Sequence, residues 1–209
     1  MFAKGRSNVK AMIQDQYEIL VEMIRHIDTI YQNNASDFEQ EANNYASEAA
    51  NGDMDVYNSV RQLFVDEEFR NEFKCYEARK MLLCMVFSYY ESVINEMVCY
   101  YGVNTKAKNP SDIIKALYKF YKEQTATQKD NVIDIVDEPS ELARLLRNKY
   151  MHGRLAKDED RKQLSELSLN DDRIGCVYYI KDLSFVTETL EGIKGNLLKI
   201  EELLSSISK

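Results

Sequence analysis

The sequence predicts an all-α fold, and three observations carry that prediction. Seven glycines and two prolines are too few, over 209 residues, to supply the regular turns of a β-rich or alternating α/β chain. Apolar residues recur three to four positions apart over most of the length, the period of an amphipathic helix. Only one short stretch, Ile174 to Ile180, reads as extended. No run approaches the roughly 18 uninterrupted apolar residues of a membrane span. The opening Met-Phe-Ala-Lys-Gly-Arg-Ser lacks the apolar core of a signal peptide. The expected setting is cytoplasmic, with no membrane.

The first helix is predicted from about Asn8 to Asn34. Its stripe is Val9, Met12, Ile13, Tyr17, Leu20, Ile24, Ile27 and Tyr31, with Ser7 as N-cap and the Asn33-Asn34 pair as its end. Residues 35 to 51 form a weaker, acidic helix, and Gly52-Asp53 is a break before an amphipathic stretch over 54 to 64. The strongest signal runs from about Glu68 to Tyr101 and is apolar nearly all round from Met81 onward. Such a helix is buried centrally or also supplies a subunit interface, and Gly102 stops it. A short helix follows Pro110-Ser111. Asp137-Glu138-Pro139-Ser140 signals the start of another, which uses Leu142, Leu145, Leu146 and Met151 and stops at Gly153. A last helix over about 183 to 207 carries Leu190, Ile193, Leu197, Ile200 and Leu204.

The net charge of −8 argues against broad, non-specific nucleic-acid binding. Between Arg144 and Lys162, however, seven basic residues stand against three acidic ones, a local balance of +4. A basic island of that size suits a small phosphate site. Cys75, Cys84, Cys99 and Cys176 include no C-x-x-C pair and are read as free, mostly buried thiols. No cofactor or metal is expected, since closely spaced Cys/His ligands are missing.

The chain has two histidines, and one of them, His152, follows Arg147-Asn148 within the helix that crosses the basic island. An imidazole that exchanges protons near neutral pH, beside a guanidinium that holds phosphate, is a minimal kit for cleaving a phosphodiester. Asn148 and His152 are i, i+4 and share a helix face. Arg147 and His152 lie about 140° apart around the helix, so one helix cannot aim both at one atom. Arg70-Asn71 offers an internal contrast, because no histidine follows it at comparable spacing. The plain structural account is that Arg147 and His152 cap free carbonyls in a last helical turn.

The string Arg147-Asn148-x-x-x-His152 resembles the R-x4–6-H motif of HEPN-domain ribonucleases, including the polar residue that often follows the arginine. The order of helices is also similar. The resemblance implies a HEPN-like antiparallel helical bundle over residues 68–209, with residues 1–67 as an N-terminal helical extension packed into the same globular unit. It implies a homodimer whose two motifs face one cleft, so that Arg147 and His152 serve as parts of a composite site. It further implies metal-independent RNA cleavage by 2′-hydroxyl attack, leaving a 2′,3′-cyclic phosphate. In that scheme His152 is general base or acid, Arg147 holds the scissile phosphate, and Asn148 orients one or the other. A toxin or phage-defence role follows, with an inhibitor or activator protein to restrain it. One departure is Arg154, where some family toxins have Tyr.

Further substrate-binding candidates are Arg144, Lys149, Tyr150 and Arg154 around the motif, and Glu91 and Asn95 on the long apolar helix, where Ser88 and Ser92 complete a polar strip. Tyr150 is equally a core residue by spacing, and His26 has no partner in sight. The alternative to a nuclease is a non-catalytic helical module that binds nucleotide, RNA or a protein partner.

Overall fold

The computed structural model describes residues 8–125, 141–152, 180 and 182–207. All of the described elements are helices: α1 (Asn8–Ala50), α2 (Met54–Gln62), α3 (Val65–Tyr101), α4 (Pro110–Thr125), α5 (Glu141–His152) and α6 (Leu183–Ser206). Ser7, residues 137–140, Gly153 and residues 174–179 lie outside the described residues.

The largest departure from expectation is α1, one continuous helix of 43 residues where two were predicted. Asn33 and Asn34 do not interrupt it, because both point to solvent while the inward stripe runs past them. Tyr31, Ala35 and Phe38 are half-buried, and Ala42, Ala46 and Ala50 are buried. Asparagine costs a few tenths of a kcal/mol in a helix, roughly 0.7 at most, and continuous packing on that stripe outweighs it. Asn51 and Gly52, with φ of 45° and 93°, then turn the chain. Asp53 caps α2 by accepting from the amides of Asp55 and Val56 at 2.9 and 3.2 Å. Leu63 and Phe64 separate α2 from α3, which starts three residues before its predicted position.

α3 is the axis of the molecule, and α1, α4, α5 and α6 all pack on it. By length and apolar composition alone it could cross a membrane. Half of its most apolar window is nevertheless buried inside the bundle, as a central helix requires. Gly102 ends it in the left-handed conformation (φ 66°), and the Val103 amide bonds back to the Val98 carbonyl at 3.0 Å. The main core joins the first half of α1 (Ile13, Ile24) to the second half of α3 (Leu83, Ile94), to α4 (Ile113, Leu117), to α5 (Leu146) and to α6 (Leu190, Ile193). Hydroxyls reinforce this junction. Tyr89 donates to the Ile13 carbonyl at 3.0 Å, and Tyr17 donates to the Glu191 carboxylate.

Where the core gives way to the outer part of the α1–α3 pair sits a buried ion pair. Arg79 Nε donates to Asp28 Oδ1 at 2.6 Å, and Nη1 reaches the carbonyl of Ile180 at 3.4 Å. Gln32 supplies a further donor to Asp28 Oδ2 at 2.6 Å. The carboxylate is thus satisfied on both oxygens, which a buried charge needs.

Candidate functional site

Helix α5 reaches the core through Ala143 and Leu146, both buried, and that register decides what its other faces do. Arg144, Arg147 and Asn148 share a face at i, i+3 and i+4. They form one wall of an open cleft of about 240 Å³. Phe87, Tyr90 and Glu91 of α3 form the opposite wall, at the same i, i+3, i+4 spacing. The first turn of α4 closes one end with Asn109, Pro110 and Ser111. Asn109 caps that turn by accepting from the Asp112 amide at 2.9 Å, and its own amide donates to the Asp112 carboxylate at 2.7 Å.

Arg147 is held from both walls of the cleft. Its Nη2 donates to Glu91 Oε1 at 2.5 Å and its Nη1 to Asn148 Oδ1 at 3.0 Å. The guanidinium carbon stands 5.8 Å from the centre of the Phe87 ring. Both partners of the Glu91 pair keep about a quarter to a third of their surface in water, so the pair is worth roughly 1 kcal/mol or less. Its consequence is mainly geometric: together with the Asn148 bond it fixes the plane of the guanidinium, and these two contacts engage two of its five N–H donors. Arg144 adds a second, exposed cation. Cys84 lies close by, its thiol pushed above the ordinary range by burial and pulled back in part by Arg147.

The sequence-predicted residues separate into groups. Arg144, Arg147, Asn148 and Glu91 come together in the cleft. Asn95 does not line it, and its amide donates to the Glu91 carbonyl at 2.7 Å. Ser88 likewise turns to its own helix, donating to the Cys84 carbonyl at 3.0 Å. Tyr150 packs against the core with the Lys80 ammonium 5.3 Å from its ring centre, and burial raises its hydroxyl pKa. Lys149 is half-buried and, like Tyr150, is not among the lining residues. The backbone of α5 is helical through His152, so position 152 follows Asn148 by one turn. The His152 side chain and all of Arg154 lie outside the described residues. His26 is exposed on α1.

The chain matches no protein-family model, no curated protein and no solved structure. Chemically, the cleft offers two guanidiniums, one carboxylate, two side-chain amides and an aromatic wall. That set can bind an anion with an attached planar group. Among the described residues no cluster of His, Cys, Asp and Glu is arranged to hold a metal ion. Cys75 is buried, Cys84 half-buried and Cys99 exposed, all as free thiols; Cys176 lies outside the described residues. Sequence reasoning missed Phe87, Tyr90 and the first turn of α4 as cleft walls. Pro110-Ser111 marked a helix beginning, but nothing local says that this beginning faces α5.

Proposed function

We propose that the chain is a HEPN-like, metal-independent endoribonuclease that works as a cytoplasmic homodimer. The observation that carries this reading is the Arg147–Glu91 pair, which holds the motif arginine at the mouth of a cleft with Asn148 beside it. Position 152 continues the Asn148 face by one helical turn. Arg147 binds the scissile phosphate and stabilises its developing charge. Across the two-fold, His152 of one protomer or the other withdraws the 2′-hydroxyl proton or delivers a proton to the leaving 5′-oxygen. The P–O5′ bond breaks as the O2′–P bond forms, giving a 2′,3′-cyclic phosphate with no metal step. A toxin or defence effector of this kind requires restraint, so a regulatory protein partner belongs to the same reading.

The test is incubation of purified protein with structured and unstructured RNA in EDTA, comparing wild type with Arg147→Ala and His152→Ala. Cleavage is expected from wild type only, with cyclic-phosphate ends. No cleavage of any RNA, or cleavage that survives both substitutions, would overturn the proposal. Activity from a species that stays monomeric in light scattering would overturn the composite site.

A further inference from the structure

About 30 Å along α3 from the cleft, by helix rise, the molecule ends in a surface of different character. Between positions 35 and 75 the sequence holds ten acidic and three basic residues, a local balance of −7 in a chain of −8. All three cations are already committed to carboxylates: Arg61 to Glu68 at 2.5 Å, and Arg70 and Lys74 to Glu67 at 3.0 and 3.9 Å. The field of this end is therefore strongly negative.

The same end exposes large apolar side chains. Tyr45, Met54, Val56, Leu63 and Val65 all remain in water, with Leu63 at 78% and Met54 at 65% exposure. Core packing does not account for Met54 and Val56, because α2 contributes no buried residue at all. Of the consecutive Leu63, Phe64 and Val65, only Phe64 turns inward, edge-on to Phe38 and Tyr45. Val65 and Phe69 instead line a shallow groove of about 460 Å³ between α1 and α3, flanked by Glu39, Glu68 and Glu72. Scattered apolar side chains on a surface are ordinary. A group of them beside a groove, rimmed by one sign of charge, marks a binding surface.

We propose that this outer end docks a partner protein through a basic amphipathic segment, with an apolar row seated at Leu63, Val65 and Phe69 and Lys or Arg residues against the acidic rim. The charge selects the occupant. Nucleic acid and anionic membranes are repelled, and a second copy docking through the same face would bring two surfaces of −7 together. The apolar row supplies most of the affinity, and the rim supplies encounter rate and salt dependence. The surface does not depend on the nuclease reading.

The experiment uses the full-length chain and two synthetic helical peptides that share one leucine face, one with lysine flanks and the other with glutamates. Calorimetry is expected to give 1:1 binding of the lysine peptide only, weakening as salt rises. Leu63→Ser with Val65→Ser, and separately Glu39→Lys with Glu72→Lys, are each expected to weaken it about tenfold. These four side chains are exposed, so circular dichroism should report unchanged helicity. Equal binding of the glutamate peptide, or variants that bind like wild type, would overturn the proposal. So would binding to phosphatidylserine vesicles, or a wild-type dimer that Leu63→Ser dissociates.

Discussion

Along α3 the stretch from Leu82 to Met97 buries large side chains on nearly every turn, whereas residues 65 to 74 bury none. α1 shows the same gradient from its other end. Ile13, Leu20 and Ile24 are buried near its start, and only Ala42, Ala46 and Ala50 near its finish. Each large side chain in the bundle contributes about 1.5–3 kcal/mol of burial, while an alanine adds little beyond letting helices approach closely. The bundle end is therefore held by its core. The outer end is held by the continuity of two long helices and by one aromatic cluster around Phe64. Large apolar residues at the outer end, left in water, are free for recognition.

The Asp28–Arg79 pair joins these two regimes, and removing one partner is expected to have the largest effect. Arg79→Leu leaves the Asp28 carboxylate buried and reliant on Gln32 alone, which should cost about 3–5 kcal/mol in urea unfolding. Asp28→Leu combined with Arg79→Leu should recover most of that loss, because two apolar side chains leave no stranded charge. A double variant as unstable as the single one would show that the junction depends on something other than charge satisfaction.

The contrast between the two ends is sharpened by a matched pair of leucines. Leu83→Ala in the bundle should cost about 2–5 kcal/mol, through lost burial and a residual cavity. Leu63→Ala at the outer end should change stability by no more than about 0.5 kcal/mol. Chemical denaturation of both variants measures the difference. Similar losses at the two sites would mean that the outer end has a core of its own.

Much of this gradient was legible in the sequence, since periodic apolar residues gave every described helix and Gly102 and Gly52 marked two of the chain's turns. The joining of two predicted helices into α1 was not legible, because local signals at Asn33-Asn34 cannot weigh tertiary packing on Tyr31 and Phe38. The cleft was legible on one wall only. Arg144, Arg147 and Asn148 share a face by spacing alone, but the choice of Glu91 over Asn95 as the facing residue depends on how α3 is rotated about its axis. The same rotation sends Tyr150 toward Lys80 and away from the cleft. The acidic outer end is countable in the sequence, whereas the exposure of Leu63 beside the inward Phe64 is not.

The smallest predicted effect concerns how carboxylates behave at the two ends. The acids of the outer end are mostly exposed, but Glu201 of α6 is buried in the bundle, where the Tyr101 hydroxyl donates to its Oε2 at 2.8 Å. Burial raises its pKa, and the Tyr101 bond and the charge of Lys10 offset only part of that rise. The folded state therefore holds this proton more tightly than the unfolded chain does. The corresponding stability is complete below the ordinary glutamate pKa of about 4.3 and is lost as pH rises through the raised value. Glu201→Gln keeps an acceptor for Tyr101 and cannot ionise. Its stability relative to wild type should be flat at the acid limit, climb as pH rises above that value, and level off once wild-type Glu201 is ionised. Urea midpoints of the two proteins across that range isolate this group from the general repulsion of the acidic end, which both share. A difference that shrinks with rising pH would mean that Glu201 is stabilised as the carboxylate, with the Tyr101 bond outweighing burial.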